Sequence, residues 1–179
     1  MSDFTTSAEA RVTEIRRAFD LSFALAPQAK NEETEDLIAL RIRGDAYGLR
    51  VREIAAVAKA GRVVPLPSKT PELLGIAGIR GMVVPVYSLA VLLGYEPSRE
   101  APRWLALAGA GEPMALALGD FEGYLRLPRK DFHLPDRDPG QYIDQFARSG
   151  ETVRSVIKIA SIVAAVREGT DSRLDGHQK

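Results

Sequence analysis

The sequence predicts an all-β protein built as two β-barrel lobes. Short apolar segments recur along the chain, and the 15 glycines and 11 prolines fall at nearly every junction between them. Few segments show helical periodicity, which leaves β-strands as the main element. About ten strand candidates are present, a number too high for one small barrel but suited to two.

The length and charge of the chain limit the classes of function. At 179 residues, one domain or one compact two-lobed domain is expected. Lys and Arg (24) balance Asp and Glu (24), so no overall field favours nucleic acid or an anionic membrane. The absence of cysteine excludes disulfides and thiolate metal sites. The sequence lacks a signal peptide and a membrane-spanning apolar run, so we expect a cytoplasmic protein without direct membrane insertion.

Residues 1–36 differ from the rest and are expected to form an amphipathic helix followed by a flexible linker. The apolar stripe of this helix consists of Ala8, Val12, Ile15, Phe19 and Phe23. The segment carries four basic and eight acidic residues, a net charge of −4. A short helix is marginal alone, so it packs either on its own protein or in a groove of a partner. The first alternative is slightly favoured, because the body at 37–167 has a net charge of +5.

Deletion of residues 1–30 distinguishes these two alternatives. Packing on the body predicts a large fall in the melting temperature, because the apolar stripe would then contribute to burial. Docking on a partner predicts an unchanged melting temperature together with a loss of binding. Thermal denaturation and a pull-down from cell extract measure the two effects.

The body of the chain alternates between strand patterns and turns. A hairpin is predicted at residues 38–42 and 47–51. A helical turn is predicted at 71–74 and a short helix at 89–93. Residues 96–102 are polar and contain proline, and we expect the chain to cross between the two lobes there. The other predicted elements are strands at 75–79, 83–87, 104–108, 114–118, 121–127, 142–148 and 152–160, a charged loop at 130–140, a terminal helical turn at 161–167 and a flexible tail at 168–179.

Residues 75–89 are the most distinctive stretch of the sequence. Gly75, Gly78 and Gly81 are spaced three apart, and Arg80 precedes the last of them. Because glycine allows positive φ, Arg80 is expected at a sharp turn between two strands. The stretch is not a phosphate-binding loop, since it lacks the Gly-Lys-Ser/Thr ending and leads into a strand.

Residues suited to catalysis are scarce. His133 and His177 are the only histidines, and the aspartates near His133 are expected to form a solvated charged loop rather than a metal or acid–base cluster. Neither a nucleophile elbow nor an H-E-x-x-H zinc motif is present. A binding protein without a cofactor is therefore favoured over an enzyme. The alternative is a small β-barrel nucleic-acid-binding protein, for which a binding constant with a steep salt dependence would be the evidence.

Two charged residues between apolar neighbours indicate a candidate binding surface. Glu53 follows Val51 by two positions, and Arg80 lies within the glycine-rich stretch. The two charges could pair across neighbouring strands. Such a pair is either a surface contact of little energetic value or the polar centre of an apolar patch that binds a partner. The residues alone leave both interpretations open.

The sequence resembles the CheW family of chemotaxis coupling proteins over residues 37–167. Tyr47-Gly48 and Val51-Arg-Glu-Ile54 match the Tyr-Gly turn and the Val-x-x-Ile segment of the family. Residues 75–89 match its central signature, Gly-hydrophobic-x-Asn-Leu-Arg-Gly-x-hydrophobic-hydrophobic-Pro-Val-x-Asp-Leu. Weaker matches occur at 118–124 and 156–166.

The chain departs from the family pattern at three positions. Gly78 stands where the family usually has Asn, and Ser88 and Gly119 stand where it usually has Asp. All three changes are expected to remove a short polar side chain of the kind that hydrogen-bonds turns and strand ends. We expect the fold to be retained and partner specificity to be altered.

The resemblance implies two SH3-like β-barrels with a hydrophobic groove between them and no catalytic activity. It implies a scaffold, or adaptor, that couples chemoreceptors to a CheA-type histidine kinase in chemotaxis-like signal transduction. The partners would be the regulatory domain of the kinase and the cytoplasmic tip of the receptors. The implied protein-binding residues are Val51, Glu53, Arg80, Gly81, Val83, Val84 and Pro85.

Overall fold

A computed structural model describes residues 33–98, 100–109 and 112–174. The helix predicted near the N-terminus lies outside the described residues. The described strands are β1 (Thr34–Ile42), β2 (Asp45–Arg50), β3 (Ala56–Lys59), β4 (Val63–Val64), β5 (Leu73–Ile79), β6 (Met82–Ser88), β7 (Trp104–Ala108), β8 (Met114–Leu118), β9 (Asp120–Pro128), β10 (Phe132–His133), β11 (Ile143–Ser149) and β12 (Thr152–Ile157). The described helices are α1 (Leu89–Leu92) and α2 (Ile159–Leu174), with 3-10 turns at Val51–Glu53 and Arg129–Asp131.

The strands form two six-stranded sheets, which confirms the predicted all-β class with two lobes. Lobe A has the strand order β10-β11-β12-β2-β1-β9, and lobe B has the order β3-β7-β8-β6-β5-β4. The first hairpin, β1–β2, pairs antiparallel as the alternation of apolar residues predicted. Lobe A therefore consists of strands from both ends of the described chain, with lobe B inserted between them.

The crossings between the lobes do not lie where the sequence predicted them. Residues 96–102 connect α1 to β7, and both flanking strands belong to lobe B. The chain passes from lobe A to lobe B through the 3-10 turn Val51–Glu53 and returns through Gly119, which alone separates β8 from β9. Polarity and proline marked a surface connection correctly, but they carry no information on which sheet the next strand joins.

The two lobes repeat the same strand pairing, which the sequence patterns did not predict. Leu73 pairs with Tyr87 and Ile79 with Met82 in lobe B. Shifted by 70 residues, Ile143 pairs with Ile157 and Ser149 with Thr152 in lobe A, and both hairpins contain a bulge at the same point. In each lobe the second hairpin strand also pairs in parallel with a strand of another hairpin. Residues 73–88 and 143–158 are therefore structurally equivalent.

Three apolar cores hold the described part of the chain together. Strand β1 is buried on both of its faces, because alternate residues turn toward the other lobe and toward the interior of lobe A. The central core comprises Ile38, Leu40, Ile42, Leu49, Tyr87, Leu89, Ala106, Ala108, Met114, Leu116, Leu118, Ile157, Ile159, Ile162 and Val166. The interior of lobe B contains Ala77, Ile79, Val84, Val86, Leu105, Leu107, Ala115 and Ala117, and that of lobe A contains Leu37, Leu127, Ala147 and Val156.

Gly119 makes the return crossing possible. A Cβ atom at this position would lie 2.0 Å from the carbonyl oxygen of Arg41, which is backbone of β1. The backbone of β1 cannot move aside, because β1 pairs with β2 on one edge and with β9 on the other. Only glycine fits between the end of β8 and the start of β9. The departure from the family pattern at this position therefore has a steric reason in this chain.

We predict that Gly119→Ala destabilises the fold by about 2 kcal/mol or more, because the new methyl group overlaps the backbone of β1. The change would appear as a lower midpoint in urea denaturation. Gly61→Ala is the matched control, since nothing lies within 4 Å of a Cβ atom there. Equal midpoints for the two variants would contradict the steric argument.

Lobe A differs from lobe B because charged side chains occupy part of its interior. Arg50 and Arg154 are both buried, and they lie directly opposite Leu37 and Ala147 in the strand register. Glu122 compensates Arg154, whose Nη1 lies 2.6 Å from the carboxylate, and it also accepts a hydrogen bond from Arg41 Nε at 2.5 Å. Burial disfavours the charged carboxylate, but the hydrogen bonds from the two arginines outweigh it and lower the pKa of Glu122.

The lowered pKa of Glu122 predicts an acid-dependent loss of stability. The carboxylate stabilises the fold above its unfolded-state pKa of about 4.3, and this contribution disappears as the pH falls through the lower folded-state pKa. We expect Glu122→Gln to lower the free energy of unfolding by about 1–2 kcal/mol at pH 7, since Arg154 loses its counter-charge. The difference from the wild type should shrink between pH 5 and pH 3 in urea titrations.

Asp120→Asn is the control for this measurement. Asp120 lies on the same strand and is exposed, and it makes no ion pair among the described residues. Its substitution should leave the acid limb of the stability curve unchanged. A constant difference between Glu122→Gln and the wild type down to pH 3 would refute the assignment.

Several predicted bounds need correction. β1 begins at Thr34, within the predicted linker. Of the predicted helical turn at 71–74, residues 71–72 form a turn and residues 73–74 already belong to β5. β12 ends at Ile157, and α2 continues to Leu174, so residues 168–174 of the predicted tail are helical. The predicted charged loop at 130–140 contains a 3-10 turn and β10. Two-residue strands such as β10 are too short to produce a recognisable alternation.

Candidate partner-binding surface

The Arg80–Gly81 turn joins β5 to β6 in lobe B, as the sequence predicted. Ile79 pairs with Met82, so the loop has two residues. Both have positive φ, 50° for Arg80 and 79° for Gly81, which is the pattern of a type I′ turn. This turn matches the twist of the flanking strands and holds the backbone of Arg80 in a fixed position. Arg80 is exposed and makes no ion pair within the described part of the chain.

One face of the β5–β6 hairpin carries exposed apolar residues. Along β6, alternate residues pass from the central core to solvent: Tyr87 is buried, Pro85 is half-buried and Val83 is 73% exposed. Val64 and Ile76 lie beside Pro85 in the register of the sheet. We call these residues, Val64, Ile76, Val83 and Pro85, the hairpin face. It exists because the hairpin projects beyond the region in which the two lobes cover each other.

Val84 does not belong to this surface. It is 1% exposed and lies in the interior of lobe B, on the opposite side of β6 from Val83 and Pro85. Successive residues of a strand point to opposite faces, so all three neighbours cannot meet one partner. The implied contact role of Val84 is therefore wrong, whereas Arg80, Gly81, Val83 and Pro85 lie together at the end of one hairpin.

Val51 and Glu53 occupy a different part of the molecule. Val51 is half-buried and packs against the central core. The carboxylate of Glu53 accepts a hydrogen bond from the amide of Ile159 at 2.9 Å and lies 3.4 Å from Arg50 Nη1. Among the described residues, Glu53 makes no ion pair with Arg80. The predicted pairing of Glu53 with Arg80 is wrong, because the two residues follow strands of different sheets.

Exposed aromatic residues on β9 were missed by the sequence analysis. Phe121 and Tyr124 lie on β9 and are exposed, and the ring of Phe121 lies 5.4 Å from that of Trp104 of lobe B. Arg126 donates hydrogen bonds to Asp36 and Tyr124. The hydrogen bonds that the Asp36 carboxylate accepts from Arg126 and from Tyr124 lower the pKa of Asp36. The family match at residues 118–124 was a signal for this strand, but scattered aromatics alone were not.

The three departures from the family pattern have different structural consequences. Ser88 retains a capping function, since its hydroxyl accepts a hydrogen bond from the amide of Val91 at the start of α1. The expectation that this change removes a useful polar group is wrong. Gly78 lies beside Val83, and nothing approaches the position of its missing Cβ atom. The hairpin face is therefore flat at that point.

The described residues contain neither a metal-binding cluster nor a membrane-spanning helix. No group of three or more His, Asp or Glu side chains within them could hold a metal ion. His133 lies in β10 and pairs with Phe146. None of the helices in the part of the chain that the structure describes is long and apolar enough to cross a membrane.

The strand pairing and the burial pattern define a two-lobed β-barrel protein whose hairpin face is exposed and apolar. The model of the CheW-like domain family matches residues 36–167. The chain is also 31% identical to Protein FrzA of Myxococcus xanthus over 114 residues, which is 63% of this chain and 70% of that protein. The protein therefore belongs to the CheW-like domain family.

Comparison with solved structures supports the same architecture. The crystal structure of the scaffolding protein TtCheW from Thermoanaerobacter tengcongensis superposes with a TM-score of 0.61 at 15% sequence identity. The match covers 69% of this chain and 88% of that protein. At this identity the likeness establishes the fold, which is the predicted pair of SH3-like β-barrel subdomains.

Proposed function

We propose that this protein is a non-enzymatic scaffold that couples chemoreceptors to a CheA-type histidine kinase in chemotaxis-like signal transduction. Its partners are the regulatory domain of the kinase and the cytoplasmic tip of the receptors, and it acts in the cytoplasm without a cofactor. Membership of the CheW-like family supports this function. The observation that carries it is the hairpin face, an exposed apolar surface next to a fixed arginine.

The chemistry of the hairpin face suits a protein partner. Burial of Val83 and its apolar neighbours supplies the non-directional part of the binding energy. Arg80, at the rim, supplies charge and orientation, and its fixed turn limits the entropy lost on binding. A partner that fits would offer an apolar centre with a carboxylate at its edge.

Val51 is the remaining implied contact residue that we retain in the proposal. It belongs to the 3-10 turn at which the chain crosses between the lobes, and its side chain is partly exposed. A partner that covers Val51 would contact the junction of the two lobes rather than the end of one of them. Two separate contact regions are what a coupling protein with two partners requires.

We predict that Val83→Ser and Arg80→Glu each weaken binding of the kinase regulatory domain at least tenfold, which corresponds to a loss of about 1.4 kcal/mol. The melting temperature of each variant should stay within about 2 °C of that of the wild type. Neither side chain contributes to a buried core, so stability should not change. Isothermal titration calorimetry and differential scanning calorimetry measure the two quantities.

Each variant has a matched control on the same protein. Leu134→Ser alters a residue that is 73% exposed, like Val83, but lies in lobe A. Arg137→Glu reverses an exposed arginine in the loop after β10. Both controls should bind as the wild type does. Unchanged binding by Val83→Ser and Arg80→Glu would exclude the hairpin face as the contact surface.

A further inference from the structure

The two described α-helices begin at equivalent positions in the two lobes, but the amides at their N-termini are capped by different residues. Ser88 precedes α1, and its hydroxyl caps that helix through the amide of Val91. The equivalent position in the 70-residue repeat is Lys158, which precedes α2. A lysine side chain has only hydrogen-bond donors, so it cannot accept a bond from the free amides at a helix start.

Glu53 supplies the acceptor that Lys158 lacks. Its Oε2 atom accepts a hydrogen bond of 2.9 Å from the amide of Ile159, the first residue of α2, although the two residues are 106 positions apart in sequence. The negative charge is also favourable at a helix N-terminus, where the partial charge is positive. The start of α2 is therefore fixed by a side chain from the turn that joins the lobes.

The other carboxylate oxygen of Glu53 is directed into lobe A. Oε1 lies 3.4 Å from Nη1 of Arg50, which is buried. Arg50 in turn contacts Glu35 of β1 at 3.2 Å, and Asp144 and Gln145 of β11 at 2.6 and 2.7 Å. The remaining charges around this group are Arg52, which pairs with Glu35 at 2.9 Å, and Arg129, which lines the same cleft.

Both oxygens of Glu53 are thus used within the protein, and its side chain is only 22% exposed. We infer that Glu53 is a positioning residue that contacts no partner and instead acts as the missing cap of α2. The effect of Glu53 on partner binding rests on the proposed function, whereas its role as a helix cap does not. It reassigns Glu53 from the contact surface to the support of that surface.

Glu53 affects the contact region around Val51 because it joins the 3-10 turn to α2, which packs in the central core. Ile159, Ile162 and Val166 are part of the central core between the lobes. The same carboxylate holds the 3-10 turn that carries Val51, so the turn and the helix are fixed to each other through one side chain. Loss of Glu53 would loosen the start of α2 and shift Val51 without removing any contact atom.

The test transfers the cap of lobe B into lobe A. We expect Glu53→Ala to raise the hydrogen-exchange rates of the first-turn amides of α2 by roughly fivefold or more, the effect of losing one cap, and to weaken binding of the kinase regulatory domain. Adding Lys158→Ser to Glu53→Ala gives α2 the local cap that Ser88 provides for α1. The double variant should regain both slow exchange and most of the binding.

Glu53→Gln is the conservative comparison, since an amide oxygen can still accept from Ile159. Slow exchange with near-normal binding in Glu53→Gln supports the positioning role. The role is refuted if Glu53→Ala leaves the α2 amides protected, or if Lys158→Ser restores their protection while binding stays lost. Failure of the wild type to bind the kinase domain would refute the proposed function alone, because the exchange measurements still decide what Glu53 does.

Discussion

The two sheets pack against each other through the central core, and this contact fixes the positions of the connections between them. Each lobe turns the corresponding face of its repeated hairpin toward the other, so Tyr87 and its equivalent Ile157 both enter the central core. Because β1 is buried on both faces, it contributes both to the interior of lobe A and to the contact between the lobes. The chain crosses between the sheets at Val51–Glu53 and at Gly119. Both connections are short, and Gly119 lies against the backbone of β1, because the packed sheets leave little room between them.

The repeat explains how one architecture carries two different interiors. Val84 of lobe B corresponds to Arg154 of lobe A, since each pairs with an alanine at the equivalent position, Ala77 or Ala147. An apolar interior needs no further partner, whereas a buried guanidinium requires carboxylates from neighbouring strands. Lobe A meets this requirement through Glu122 at one site and through Glu35, Glu53 and Asp144 at another. These acidic residues therefore serve the fold.

Much of the fold could be predicted from the sequence because its signals are local. Apolar alternation located the main strands, and Arg80-Gly81 between two apolar runs predicted the sharp turn. The family match supplied the arrangement of the lobes, which local patterns do not encode. The end of α2 was missed because the sequence from Glu168 to Arg173 is polar and shows no apolar periodicity that would mark a helix.

The errors at the candidate site have one physical cause, namely contacts between residues distant in sequence. A glutamate next to valine and isoleucine has the same local pattern whether it faces a partner or caps a helix 106 positions away. Val84 has the same neighbours as Val83, and only the strand register places one inside and the other outside. Such distinctions require the sheet pairing itself, which single-sequence patterns do not determine.

The repeat also explains why the hairpin face has no apolar counterpart among the described residues of lobe A. Both hairpins project beyond the central core, and Val153 of lobe A is exposed like its equivalent Val83. Val83 lies beside Gly78, whereas Val153 lies beside Arg148, whose charged side chain interrupts the apolar surface. The turns differ as well, because lobe B presents Arg80 and lobe A presents Glu151. A partner that recognises an apolar face with a positive rim can therefore distinguish the two hairpins, although their backbones pair in the same register.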